Sequence, residues 1–466
     1  MTANELKIGL RAILNASKLI KDGFKKMFSF KNISGQFLSA LLTLVFTILF
    51  SFSSLLGGVN KEIPETPDDF TPVLRFAVCS DVHLDGTNDK NRATKFAALF
   101  RDAYSYAEGC DYNRLDAVLV AGDFANRGLP EEYSQFNEIV NANIKDETQL
   151  LTVMGNHEFI AYRDYDATVG YEKYREFIND EVDTHVVING YHFIGVSYDD
   201  NGKTLTGKTE WLNAQLREAT KDDPSKPVFV FQHPHPFATV FGSINWGDPS
   251  ITAVLGKYPQ VIDFSGHSHY AANDPRCIRQ GAFTSIGTGS TCAQMSNLNY
   301  LGAEDAPGDT GVCWIVEVDA DGNIRLQLLD LANHRFFEKN EYYLTDITNP
   351  TAHRYTWGNL KSLDTAPEFP ENADVTANKN SEGEVVLSFP DADCFWGAEN
   401  YRISVTNEKL KDVWSDTVVS NYVRAVSDGM SVNIGTLESG TYTVRIKPFS
   451  PYAKGGETLK ATITVE

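Results

Sequence analysis

Between residues 74 and 266 short apolar runs alternate with longer amphipathic stretches. The runs LRFAVC (74–79), LDAVLV (115–120), QLLTVM (149–154), HVVI (185–188), YHFIGVSY (191–198), PVFVF (227–231) and VIDFSG (261–266) have strand length and little polar alternation, as expected of strands covered on both faces. Between the first two, Ala93 to Ala107 sets Phe96, Leu99, Phe100 and Ala103 at helical spacing. Pro130 opens a second helix carrying Tyr133, Phe136, Ile139 and Val140. The alternation predicts an α/β fold. GVCWIVEVDADGNIRLQLLDLA (311–332) then reads as a hairpin turning at Asp321–Gly322. From about Ala366 the period shortens: EVVLSF, NYRISVT, YVRAVS, SVNIG, TYTVRIKPF and KATITVE predict an all-β sandwich over 366–466.

Ahead of this pattern lies FLSALLTLVFTILFSFSSLL, Phe37 to Leu56, without a charge. A helix of that length spans a hydrocarbon core of about 30 Å. Seven basic groups against Glu5 and Asp22 give residues 1–35 a net charge of +5, which predicts a cytoplasmic N-terminus, a signal-anchor helix over 36–57 and everything beyond it outside the cytoplasm. The rival is a cleaved secretory signal, with Ser51 and Ser53 ahead of the cut; either reading exports the body, as an anchored single-pass protein or as a secreted one. The Pro- and acid-rich KEIPETPDDFTP (61–72) supplies most of a linker over 58–71, the α/β domain is expected over 72–345, and a second linker over 346–365 precedes the sandwich. The whole chain carries a net charge of −21, so the exported body is more acidic still and repels extended polyanions. No broad nucleic-acid contact is expected. The six cysteines show no CxxC pair, and Cys79 falls inside an apolar run.

Polar side chains gather where the apolar runs stop. FAVCSDVH presents Asp81 and His83; AVLVAGDFANRG presents Asp123; LLTVMGNHE presents Asn156 and His157; VFVFQHPH presents His233; VIDFSGHSHY presents His267 and His269. In open α/β sheets ligands bind beyond the carboxyl ends of the strands, so five such loops converge on one site. These donors are oxygens and imidazoles with no thiolate, a set suited to Zn, Mn or Fe rather than to a Cys-rich structural zinc site. Any one cluster alone is ordinary turn chemistry; five in succession are not. Asn126 and His235 are weaker candidates for contact with substrate, and Glu158 reads as a support for its loop.

The ordered set DVH, GDFANRG, GNHE, QH and GHSH resembles the signature of the calcineurin-like metallophosphoesterases over about residues 72–335. The resemblance implies two packed mixed β-sheets flanked by helices, with a two-metal centre at their edge. By position, Asp81, His83 and His269 would hold the first metal and Asn156, His233 and His267 the second, with Asp123 bridging and His157 facing the substrate. His83 is present and Phe124 follows Asp123, which departs from the tyrosine-ligated purple acid phosphatase pattern. Such a centre answers two difficulties of phosphate-ester hydrolysis, because a pair of cations lowers the pKa of a bridging water and neutralises the phosphoryl oxygens. His157 would assist the departing oxygen as a general acid. The expected activity is hydrolysis of phosphate mono- or diesters with two divalent or mixed-valence ions; the alternatives are a metal-dependent nuclease and a catalytically idle surface-binding protein. LESGTYTVRIKPFS resembles the fibronectin type III pattern, with Tyr442 at the corner position, and implies a module contacting protein or glycan.

Overall fold

A computed structural model describes residues 61–87, 90–295 and 309–466. The basic head and the apolar run expected to form the anchor lie outside the described residues. Among the described residues no helix is long and apolar enough to cross a membrane.

The first part of the fold contains β1 (Pro72–Cys79), β2 (Ala117–Ala121), β3 (Gln149–Val153), β4 (Thr184–Ile188), β5 (Tyr191–Val196), β6 (Val228–Gln232), the two-residue β7 (His235–Pro236) and β8 (Gly247–Asp248), β9 (Val261–Ser265), β10 (Ile278–Gln280) and β11 (Thr284–Gly287). It ends with β12 (Val312–Asp319), β13 (Ile324–Asp330) and β14 (Arg335–Leu344). One sheet has the order β14-β13-β12-β1-β2-β3, the other β10-β11-β9-β6-β5-β4. Both are mixed. β1, β2 and β3 run parallel and β12 to β14 extend that sheet antiparallel, with Gly322 at φ +81° in the turn between β12 and β13. In the second sheet β5, β6, β9 and β11 are parallel, and β4 and β10 add antiparallel edges.

The absence of alternation in the central strands has a direct cause: each sheet is covered twice. Between the sheets, the Phe76 ring meets Phe193 at 5.0 Å, Phe229 at 4.7 Å and Phe264 at 6.1 Å. On the outside, the helices Lys90–Glu108 and Pro130–Asn143 stack Phe96 on Phe136 at 5.3 Å, and Phe124 packs on Phe136 at 4.5 Å. Each such ring removes well over 100 Å² from water, so the two apolar layers fix the sheets rigidly and leave only the strand ends free to vary.

The C-terminal region is all β. It comprises β15 (Thr376–Lys379), β16 (Val385–Phe389), β17 (Asn400–Asn407), β18 (Asp412–Val419), β19 (Met430–Asn433), β20 (Gly440–Phe449) and β21 (Leu459–Val465). Three strands form a sheet ordered β15-β16-β19 and four form one ordered β18-β17-β20-β21, around a core containing Leu387, Tyr401, Val405, Val444 and Ile446.

Two sequence expectations are corrected here. YVRAVS is not a strand: Asn421–Val423 is a 3₁₀ turn, and the strand lies earlier at β18. Val423 is buried in a small cluster with Ala271 of the first region, so its apolar character serves an interface rather than the sandwich core. The stretch expected to be a linker over 346–365 contains the helix Trp357–Leu363, with Tyr355 and Leu360 in the inter-sheet core. Even the segment after residue 60 is tied down, since the Lys61 amide donates to Asn359 Oδ1 at 2.8 Å and Ile63 packs on the same core. The sandwich docks on the first region through Asn273 Nδ2 to Tyr422 O (2.8 Å), Gln294 Nε2 to Val423 O (3.0 Å), the Ala425 amide to Asp330 Oδ2 (2.9 Å) and Trp396 Nε1 to Leu360 O (3.1 Å).

Candidate metal centre

Five strands end side by side: β1, β2 and β3 of one sheet, β6 and β9 of the other. Their C-terminal loops bring Asp81, His83, Asp123, Asn156, His157, His233, His267 and His269 to one edge of the fold. The loops turn abruptly there. Asp81, His83, Asp123, His267 and His269 all have φ between +52° and +73°, in the left-handed region that side chains with a Cβ enter at a cost. Strain concentrated on these residues marks a functional constraint. The glycines between them permit contact: a Cβ on Gly155 would stand 2.1 Å from Asp123 Oδ1, and one on Gly266 would stand 2.3 Å from Asp81 Oδ2.

The donor atoms form three overlapping groups, Asp81–His83–His269, His83–Asp123–His157 and Asp123–His233–His267, the atoms of each lying within 4.8 Å of one another. His269 Nε2 is 3.0 Å from both Asp81 Oδ1 and His83 Nε2. His233 Nε2 is 2.9 Å from Asp123 Oδ2 and 3.1 Å from His267 Nδ1. Asp123 is shared between groups. The opposite ring nitrogen of His233 is held by Ala121 O at 2.9 Å, which orients Nε2 inward in the manner of a metal-ligating imidazole with a carbonyl behind it.

Burial alone would raise the Asp81 and Asp123 carboxyls, but His269 and His233 beside Asp81, and His233 beside Asp123, outweigh it and hold both well below the carboxylate range. His267, desolvated and next to the His233 charge, is pushed down to about 3, so its imidazole is neutral and free to ligate. His233 moves the other way, to about 9, because Asp123 and Asp81 overcome its burial. Two ionised carboxylates among imidazoles form a basin for positive charge. The fit to metal also rests on an orphaned atom: Asn156 Oδ1 is buried without a hydrogen-bond partner, a costly arrangement unless a cation completes it.

His157 belongs to the middle group but sits at its open side. Its Nδ1 meets the Asn126 carbonyl at 2.7 Å and its amide donates to Asp123 Oδ1 at 2.8 Å, while its Nε2 lies 3.9 Å from Asp123 Oδ2. The side chain is 29% exposed, more open than those of Asp123, His83 and His269. Asn126 therefore acts here through its backbone, steering His157. His235 is corrected: it is buried with Nδ1 on Ser265 Oγ (2.9 Å) and Nε2 on Ser268 Oγ (2.8 Å), so both ring nitrogens are committed to bracing the loop of His267, not to lining an opening. Glu158 is fully buried and collects the amides of Asp123 (3.0 Å), Gly155 (2.6 Å) and Ala125 (2.9 Å); burial and the Asp123 charge push its carboxyl up to about 8 against those bonds. Gln294, which accepts from the Ala272 amide at 2.7 Å and donates to Val423 O, braces the same region from the sandwich side and carried no signal in the sequence.

Residues 74–271 match the calcineurin-like phosphoesterase family. Among curated proteins, the chain is 26% identical over 223 residues to the UPF0046 protein K07C11.7 of Caenorhabditis elegans, covering 45% of this chain and 68% of that one. It is 31% identical over 172 residues to the glycerophosphodiester phosphodiesterase GpdQ of Enterobacter lignolyticus, covering 34% of this chain and 56% of the relative. Among solved structures, the purple acid phosphatase PPD1 of yellow lupin seeds superposes with a TM-score of 0.43 at 14% identity, over 61% of this chain and 55% of that chain. Residues 74–271, which carry all of these strand-end donors, are a calcineurin-like phosphoesterase domain, and this match supports metal-dependent phosphoester hydrolysis.

Proposed function

We propose that this chain is an exported, membrane-anchored phosphoesterase with a dinuclear metal centre, hydrolysing phosphate esters with diesters preferred. The observation that carries it is the convergence of Asp81, His83, Asp123, Asn156, His233, His267 and His269 from five strand ends, with Asp123 shared between donor groups. Asp81, His83 and His269 would hold one ion, Asn156, His233 and His267 the other, and Asp123 both. Two such ions, when bound, activate water and neutralise phosphoryl oxygens. The remaining work falls to the chain's own residues. Glu158 holds three amides of the Asp123 and Asn156 loops in register. The Asn126 carbonyl fixes the His157 ring so that Nε2 faces the centre, where it can deliver a proton to the departing oxygen. The diester preference draws support from the name of the Enterobacter relative.

The acidic body disfavours the nuclease reading, because a long polyanion needs a basic track. For the C-terminal region we propose a fibronectin type III-like module, supported by the three-plus-four strand order and by Tyr442 Oη donating to Glu438 O at 2.8 Å. Export and anchoring rest on the sequence of residues 1–57. The test is elemental analysis of the purified chain together with turnover of bis(p-nitrophenyl) phosphate and p-nitrophenyl phosphate in Mn, Zn and Fe. Two metals per chain and faster diester cleavage are expected; loaded protein without turnover of either ester overturns the enzymatic reading. Protease added to intact cells should remove the catalytic domain, and its protection there overturns export.

A further inference from the structure

The segment between β7 and β8 forms a lip beside the metal centre. Ile244 is 61% and Trp246 45% exposed, unusual for large apolar side chains on a well-anchored segment. The Trp246 ring stands edge-to-face with the His267 imidazole, centroids 5.2 Å apart at 85°. The lip is held in place at both ends. Phe241 packs on Tyr270 at 4.8 Å under the Arg276 guanidinium at 3.9 Å, and its amide donates to Arg276 O at 2.9 Å. Gly242, at φ +86°, lies so close to Tyr270 that a Cβ would meet Cδ2 at 2.8 Å; past Trp246, β7 and β8 pair His235 with Gly247. An apolar surface kept rigid and open against a metal-donor side chain is arranged to receive something. Trp246 also lies against a different donor group from His157. His157 contacts His83, ring centroids 4.4 Å apart, whereas Trp246 contacts His267.

We propose that Trp246 and Ile244 form the subsite for the alcohol that stays on phosphorus, and that the substrate is a phosphodiester whose retained alcohol carries a ring. This deepens the phosphoesterase reading and rests on it. In the reaction a water oxygen forms the new P–O bond and releases a proton to solvent, the P–O bond to the leaving alcohol breaks, and that oxygen takes the proton from His157, which solvent then restores. The second ester bond is untouched, and its ring remains stacked on the indole. The product is the monoester of the ring-bearing alcohol. An aromatic face offered to a ring favours offset or edge contact and contributes beyond the area it covers.

The experiment holds the leaving group constant. kcat/KM is measured on the full chain, metal-loaded, for phenyl p-nitrophenyl phosphate and methyl p-nitrophenyl phosphate, in wild type, Trp246→Ala, Trp246→Phe and Ile244→Ala. Comparing phenyl-to-methyl ratios between variants cancels the intrinsic reactivity of the two esters. The ratio is expected to fall about tenfold in Trp246→Ala, to recover substantially in Trp246→Phe and to fall less in Ile244→Ala. An unchanged ratio in Trp246→Ala overturns the subsite, as does an equal loss in Trp246→Phe and Trp246→Ala. Absence of turnover of both diesters by loaded wild type instead removes the phosphoesterase reading beneath it.

Discussion

The side-chain amide of Asn273 donates to the carbonyl of Tyr422 at 2.8 Å, so the loop that leaves His269 is bonded directly to the C-terminal sandwich. Gln294 makes a second bridge, from the Ala272 amide to Val423 O, and Val423 is buried against Ala271. A chain read by sequence as an enzyme followed by a separate module contacting protein or glycan is in this respect one structure.

Removing residues 366–466 is therefore expected to damage the centre. Every candidate ligand lies upstream, yet the truncation strips Asn273, Gln294 and Ala271 of their partners. We expect a fragment ending at residue 365 to be poorly soluble or to bind metal weakly. In the full chain, Val423→Asp should lower Tm and metal occupancy together, since it buries a charge without a partner. Normal metal content and turnover in a folded fragment ending at residue 365 would show the bridges to be incidental.

Asp123→Asn should lose metal more completely than Asn156→Ala or His233→Ala. Asp123 belongs to two of the donor groups, while His233 belongs to one. Elemental analysis of the three variants after gel filtration decides the order, and two retained metals with normal turnover in Asp123→Asn contradict the shared role.

His157→Ala should cost most where the leaving group is poor. General acid assistance is worth about 10²–10⁴-fold for an alkoxide and far less for a nitrophenolate. A plot of the wild-type to variant ratio against leaving-group pKa is expected to rise, with metal content unchanged. A flat plot would assign His157 to orienting the phosphate only.

Asp263, fully buried in β9, accepts from Gln232 and from Ser285 Oγ at 2.7 Å, and burial pushes its carboxyl up to about 7 against those bonds. A raised carboxyl means that the unfolded chain ionises first as pH rises. The wild type thus loses stability from this group between about pH 4 and pH 7, the loss being complete above the folded value, by up to about 4 kcal/mol. Asp263→Asn cannot ionise, so its Tm should gain on that of the wild type across this window. Parallel Tm curves would remove Asp263 as the source.

How much of this was legible in the sequence follows from where each residue sits. The strands that carry Asp81, Asp123 and Asn156 announced themselves because they are covered on both faces, and a polar side chain directly after such a run can only stand at a strand end. β18 was missed because DVWSDTVV is largely exposed along its length and lacks an apolar alternation. Val423 misled for the opposite reason: an apolar residue between polar ones reads the same whether it enters a sheet core or an interface. His235 looked open because Pro residues flank it, and only the fold brings Ser265 and Ser268 onto its two nitrogens. Trp246 gave no signal, since its meaning depends on His267, twenty-one positions away.

The left-handed backbone at Asp81, His83, Asp123, His267 and His269 sets stability and catalysis against each other. Each of these residues holds a conformation that glycine would adopt freely, at a cost of about 1 kcal/mol or more. In the absence of ions, replacing one by glycine relieves that cost, so a thermal screen run in chelator would enrich inactive variants among its apparent improvements. Selection for heat resistance in this chain has to be carried out with the ions present, where losing a donor is felt as a loss.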